Sequence, residues 1–332
     1  MSVGLKSTIY VGGLLGLALL VALVVRADFA GILRAFSLAG WQVFWLLPYR
    51  VVFFLLYAIG WDLLLRPYDP QRRLTLVYLT WVATVREAID RLLPVASVGG
   101  GLAGVRLLGW RGVATSAAAA SVIVEVLLTL VALWAFMVIG FSLLTAAKVP
   151  AMAVGDFIPL ALGGLALPAF LGLALRYGTI FARLEAALRR WVGLRTLAKG
   201  AASLDADVRA SLRRVPRAIL SGALQLGAML SGSFEVWFSL RLFGHPVDLR
   251  VATIMESLTQ VARHVAFLIP GALGIQELSL IVLGNALGVS AELALAVSLV
   301  KRARELLWGI PALISWQWEE GRRLHRPQCH PP

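Results

Sequence analysis

The residues of this chain with the chemistry to act are charges set inside apolar runs. Arg86, Glu87, Asp90 and Arg91 fall in one run, with Arg86/Asp90 and Glu87/Arg91 at the four-residue spacing of facing helix neighbours. Glu256, Gln260, Arg263 and His264 fall in a second, with Glu256 and Arg263 on one helix face. Glu125 and Glu235 sit deep in two more runs, and Lys301, Arg302, Arg304 and Glu305 sit in the last. A charge at the centre of a membrane span costs about 2.5–3.5 kcal/mol on insertion scales, so several in two corresponding helices point to a polar cavity. The competing reading is internal ion pairing that only fixes helix register. Arg50 and Asp62 stand nearer the ends of their run and are expected to snorkel. His264 could carry a proton, although a lone membrane histidine is more often a hydrogen-bonded packing residue.

Two Pro/Gly segments follow the charged helices and would position them. The first runs from Leu92-Leu93-Pro94 through Gly99-Gly100-Gly101 to Gly112-Val113, and the second from Leu268-Ile269-Pro270-Gly271 through Gly274 and Glu277 to Gly288-Val289. Pro94 stands as far from Gly112 as Pro270 does from Gly288, and Ala96/Ala272, Leu102/Leu278 and Leu107/Leu283 fall in register. Proline removes a backbone donor and glycine frees the chain, so short broken segments of this kind suit re-entrant hairpins buried in protein. One unit entering from each side of the membrane makes an inverted repeat, which in transporters places the substrate site between the units near mid-membrane. Ordinary loops with glycine-rich helix packing are the alternative.

The 332 residues are 59% hydrophobic and 15% charged, with a mean hydropathy of +0.82, too apolar for a soluble domain. The long runs have helix length, not strand length, so the fold expected is an all-α polytopic membrane bundle. Spans are expected at Thr8–Arg26, Trp41–Leu65, Leu74–Leu93, Ala114–Ile139, Val154–Leu175, Ala218–Leu240, Val251–Ile269 and Ser290–Trp316. The first is read as an uncleaved helix, although Val25-Arg26-Ala27 loosely permits signal cleavage. The +13 charge gathers between the runs, where it reports orientation and contact with anionic lipid, so no nucleic-acid partner is expected. By the positive-inside rule the basic Arg176–Arg217 stretch, the loop with Arg66, Arg72 and Arg73, and the tail with Arg322, Arg323 and Arg326 are cytoplasmic, and both termini lie inside. Phe181, Leu184, Leu188, Trp191, Val192 and Leu194 suggest an amphipathic helix on the inner leaflet, with a solvated basic loop as the alternative. Cys329 is the only cysteine, the four histidines lack ligand spacing and no Gly-x-x-x-x-Gly-Lys-Ser/Thr loop occurs, so no disulfide, metal, nucleotide or other cofactor is expected.

At these residues the chain resembles the flippase-like membrane family related to the transmembrane region of lysylphosphatidylglycerol synthases. Ile269, Pro270, Gly271, Leu273, Gly274 and Glu277 resemble its Ile-Pro-Gly-x-Leu-Gly-x-x-Glu element, and Leu93, Pro94, Gly99, Arg106 and Glu125 its first element. The run Val300–Pro311, with Arg86-Glu87 and Val95–Gly100, is most similar to the hopanoid-biosynthesis-associated branch. The family often carries a Gly-Glu pair where this chain has Gly99-Gly100-Gly101-Leu102, which argues against a carboxylate role there. No soluble aminoacyl-transfer domain is expected after Trp318, so the synthase's transferase activity is not carried over.

The expectation is a single integral membrane domain of a bacterial inner membrane, with unit one at about 74–140, the basic segment at 176–217, unit two at about 251–316 and a tail at 317–332. Its expected activity is non-enzymatic translocation of a polar-headed lipid, with hopanoids implied only by the resemblance. Arg86, Arg91, Arg106, Arg263 and Arg304 would contact headgroup oxygens, and Glu87, Glu125, Glu256, Glu277 and Glu305 would pair with them, line the site or carry protons. Expected partners are the lipid substrate, anionic inner-leaflet lipid at the basic segment, and lipid-biosynthesis enzymes. Two alternatives stand beside this: a membrane enzyme using the carboxylates as acid and base, and a scaffold for a lipid-synthesis complex.

Overall fold

Leucine-, valine- and alanine-rich runs with no competing polar groups close their backbone hydrogen bonds within helices, and no strand occurs among the described residues. The computed structural model describes residues 29–93, 99–147, 154–178, 183 and 198–324. The expected first span, Pro94, the amphipathic stretch Phe181–Leu194 apart from Arg183, and the pair Cys329-His330 lie outside these residues.

Helix α1 (Phe29–Ala39) passes through a 3-10 turn into α2 (Leu46–Leu65). There follow α3 (Leu76–Leu92), α4 (Gly99–Gly109), α5 (Thr115–Ala146), α6 (Val154–Tyr177), α7 (Ala198–Arg213), α8 (Val215–Leu242), α9 (Leu249–Val265), α10 (Ile275–Ala286) and α11 (Ala291–Leu324). Among the described residues, three helical stretches are long and apolar enough to cross a membrane: Ala30–Tyr68, α5 and α8. α11, at 34 residues, has the length but carries four charges in its middle.

The expected spans Leu74–Leu93 and Val251–Ile269 are instead short arms. α3 and α9 have 17 residues each, roughly 25 Å of helix, and each turns back along a shorter partner, α4 or α10. α3 lies along the second half of α11, with Trp81 Nε1 donating to Ser315 Oγ at 2.9 Å and Leu92 against Gly309. α9 lies likewise along the second half of α5, with Ser257 against Gly140 and Ile254 clustered with Met137, Phe141 and Leu144. The same half-length arm therefore packs on the long helix of the other unit, twice.

The two hairpins open toward opposite ends of the bundle. The free ends of α3 and α4 share one end with the last turns of α11, where the Arg323 guanidinium lies 4.3 Å from the Trp110 ring and Arg106 pairs with Glu320. Tyr68 Oη, donating to Asp207 O at 3.1 Å, ties α7 to that same end, which also carries Arg72, Arg73, Arg213 and Arg214. The free ends of α9 and α10 lie at the other end with the ends of α5 and α8. The inverted repeat is thus present in the packing.

Glycine punctuation has the same physical role in both units. Gly112 and Gly288 each have φ +82°, a left-handed conformation that ends α4 and α10. The following amides reach back five residues, Val113 N to Leu108 O at 3.4 Å and Val289 N to Gly284 O at 2.8 Å. Both bonds are of Schellman type, satisfying helix-end carbonyls that lipid could not.

Candidate functional site

The hairpin tips meet inside the bundle. A Cβ on Gly271, at the tip between α9 and α10, would come within 2.7 Å of the Arg91 carbonyl at the end of α3. Gly271 has φ +59° and Gly274 φ +77°, with Ala272 between them at φ +49°, so this tight reversal is left-handed at three positions, two of them glycine. Arg302 of α11 holds the tip by donating to Gly271 O at 2.7 Å and Ala272 O at 3.2 Å. Glu277 completes it, accepting from Gly274 N at 2.8 Å, Ser298 Oγ at 2.8 Å and Arg302 Nε at 3.0 Å. Gly99 opens α4, and Asp90 accepts from the Gly100 amide at 2.8 Å.

Around the tips the buried charges form bonded pairs. Arg86 Nη1 meets Glu125 Oε2 at 2.7 Å, and Arg263 Nη2 meets Glu305 Oε1 at 2.7 Å. Lys301 pairs with Glu256, which also accepts from Gln260 at 2.8 Å, and Arg304 pairs with Glu235. Arg302 reaches Glu305 as well, at 3.1 Å. Arg50 Nη2 meets Glu87 Oε1 at 2.5 Å with its guanidinium 3.6 Å from the Phe53 ring. Apart from Arg302–Glu305 within α11, each pair joins different helices, which lets the bundle hold charge at that depth: a charge taken from water is tolerated when a counter-charge and hydrogen bonds replace its hydration.

Arg91 differs. Its nearest carboxylate, Glu87, is 3.9 Å away and already bonded to Arg50, and Arg91 shares its surroundings with Arg263 and Arg50 and with Glu305, itself bonded to Arg263 and Arg302. Among the described residues it is the central cation with no hydrogen bond to a carboxylate. It lines a narrow cleft with Arg50, Glu87, Arg304, Glu305 and Trp308. That cleft presents more positive than negative groups, at the level where the hairpins meet.

The residues expected at one site divide into three groups. Glu87, Arg91, Arg304 and Glu305 line the cleft, with Arg263 bonded to Glu305 at its edge. Arg86 and Glu125 form a sealed pair between α3 and α5, while Glu256 and Glu277 are committed to Lys301 and Arg302. Arg106 is displaced altogether: it is exposed at the basic end of the bundle with Glu320, because α4 runs away from the tip and carries it outward.

Other expectations are corrected by interhelix partners. Asp90 does not bond Arg86, since Glu125 on α5 takes the guanidinium and the Gly100 amide takes the carboxylate. Arg50 does not snorkel: it turns inward to Glu87, while Asp62 pairs with Arg66 at 2.9 Å near the basic end. His264 Nδ1 bonds Gln260 O at 2.7 Å, the hydrogen-bonded packing arrangement. Glu235, Lys301 and Arg302 were visible as buried charges, but their partners lie on helices distant in sequence.

Among curated proteins and solved structures, none matches the chain. Over residues 10–312 it matches the family model described as the lysylphosphatidylglycerol synthase TM region, and the chain belongs to that family.

Proposed function

We propose that this protein moves a polar-headed lipid across a bacterial inner membrane. Family membership gives it a membrane, lipid-related role. The observation that carries the transport reading is the meeting of two opposed hairpins beside a cleft whose Arg91 has no committed carboxylate. A headgroup crossing the bilayer must exchange its water for other polar partners, and the cluster of Arg50, Arg91 and Arg304 with Glu87 and Glu305 offers them at mid-depth once the cleft, which has a free volume of about 10 Å³, opens. Arg91 contacts the headgroup oxygens first, while the lipid tail stays in hydrocarbon.

Transport is favoured over chemistry at this site because the buried carboxylates already accept hydrogen bonds from cations, which suits structural pairing better than acid–base work. The basic end, with Arg72, Arg73, Arg213, Arg214, Arg322 and Arg323, faces the cytoplasm and its anionic lipid. Hopanoid precursors or products are one substrate class to test, together with the enzymes that make them as partners, because of the resemblance of the Val300–Pro311 run. Reconstitution into liposomes with headgroup-labelled lipids tests the proposal. Protein-dependent transbilayer movement of at least one candidate lipid is expected; equal movement with and without protein across the set would overturn it.

A further inference from the structure

A second feature lies away from the ion cluster. On the flank of the bundle, α5 and α8 form the walls of an open groove of about 460 Å³, floored at the basic end by α6 and α7. Leu128, Ala132, Ile219, Gly222 and Leu226 give it an almost wholly apolar lining, and Arg176, at the end of α6, is the charged residue on it. Arg176 is exposed, with a ring contact to Tyr177 and no carboxylate partner among the described residues. Arg213 and Arg217 are exposed at the neighbouring α7–α8 corner.

The dimensions select an occupant. The α8 wall from Val215 to Leu226 rises roughly 17 Å, close to one leaflet of a hydrocarbon core about 30 Å thick. Its length and apolar lining match one acyl chain of that leaflet. The charge then places the head: an arginine at the basic mouth complements a phosphate at the surface of the same leaflet.

We infer that this groove is a resident lipid site that takes one acyl chain of an anionic glycerophospholipid, with its phosphate at Arg176. The site is separate from the central cleft and does not depend on the transport proposal. Gly222 keeps it open, since a Cβ there meets only Leu128 Cδ2 at 3.8 Å, whereas a larger side chain projects into the groove.

Native mass spectrometry of the full chain in detergent, titrated with dioleoyl phosphatidylglycerol or dioleoyl phosphatidylcholine, tests the assignment. The wild type is expected to retain one phosphatidylglycerol about tenfold more strongly than phosphatidylcholine. Gly222→Leu and Ala132→Leu, each with wild-type helicity and melting midpoint, are expected to lose the retained lipid of both kinds. Arg176→Gln is expected to abolish the preference between the two while still retaining lipid. Unchanged retention in a folded Gly222→Leu or Ala132→Leu protein, or no preference in the wild type, would overturn the assignment.

Discussion

Replacing Arg86 by Met separates a structural charge from a functional one. Arg86 Nη1 lies 2.7 Å from Glu125 Oε2, and Glu125 is fully buried. Removing the cation strands that carboxylate between α3, α4 and α5, and breaking a buried pair on one side costs about 3–5 kcal/mol. The guanidinium also sits 4.5 Å from the Trp61 ring, a contact worth up to about 2 kcal/mol when desolvated. Methionine fills much of the same space beside Gly104, so the loss is electrostatic more than a matter of volume. The Arg86→Met protein is therefore expected to unfold with a free energy lower by about 4 kcal/mol. The double variant Arg86→Met/Glu125→Leu removes both charges and is expected to recover to within about 1–2 kcal/mol of wild type, because apolar replacement of a whole buried pair is close to neutral. Equilibrium unfolding in detergent, followed by circular dichroism for all four members of the double-mutant cycle, measures this. An Arg86→Met protein as stable as wild type, or a double variant no better than the single, would refute the pairing argument.

Three other outcomes follow from particular contacts. Gly140→Ala puts a methyl onto Ser257 where α5 and α9 touch; a loss of about 1–3 kcal/mol is expected, partly restored by adding Ser257→Gly, and thermal unfolding of both proteins reads it. Arg106→Gln, at an exposed position paired only with Glu320 among the described residues, is expected to leave lipid movement in liposomes unchanged. Cysteines introduced at Gly109 and at Asn285, near the free ends of α4 and α10, are expected to react with impermeant maleimide from the cytoplasmic and external sides respectively; labelling from the same side would remove the inverted orientation.

Much of the architecture is legible in the chain because both of its signals are local. Apolar length gives the helices, and the matched spacing of Pro94 to Gly112 and Pro270 to Gly288 marks the repeat, whose glycines later prove to share one left-handed conformation. Helix periodicity likewise places Glu256 and Arg263 on one face, and both do meet α11. Spacing within one helix, however, cannot weigh a partner on another helix. Arg86 and Asp90 look like a pair, yet Glu125 and the Gly100 amide offer each a better-placed partner across a hairpin that folds them together. Arg50 carries no local mark of burial, because its carboxylate is 37 residues away. Hydropathy also misjudged the arms: a 17-residue apolar stretch counts as a span unless its return partner is recognised, and the turn residues Gly271 and Gly274 are the signal for that. Arg106 was drawn into the site by its place in the motif, whereas the direction of α4 carries it to the bundle end.

The central claim is that the cleft at the hairpin tips handles the headgroup with Arg91 as its first contact, and that the sealed Arg86–Glu125 pair only holds the helices in place. The most direct measurement is the rate of transbilayer movement of a headgroup-labelled lipid in liposomes containing wild type, Arg91→Gln or the Arg86→Met/Glu125→Leu variant, with the unfolding free energy of each determined in parallel. Arg91→Gln is expected to lose at least tenfold in rate with stability within about 1 kcal/mol of wild type, since Arg91 makes no hydrogen bond to a carboxylate among the described residues. The double variant is expected to keep its rate. A full rate in Arg91→Gln, with lipid movement still dependent on the protein, would contradict the account.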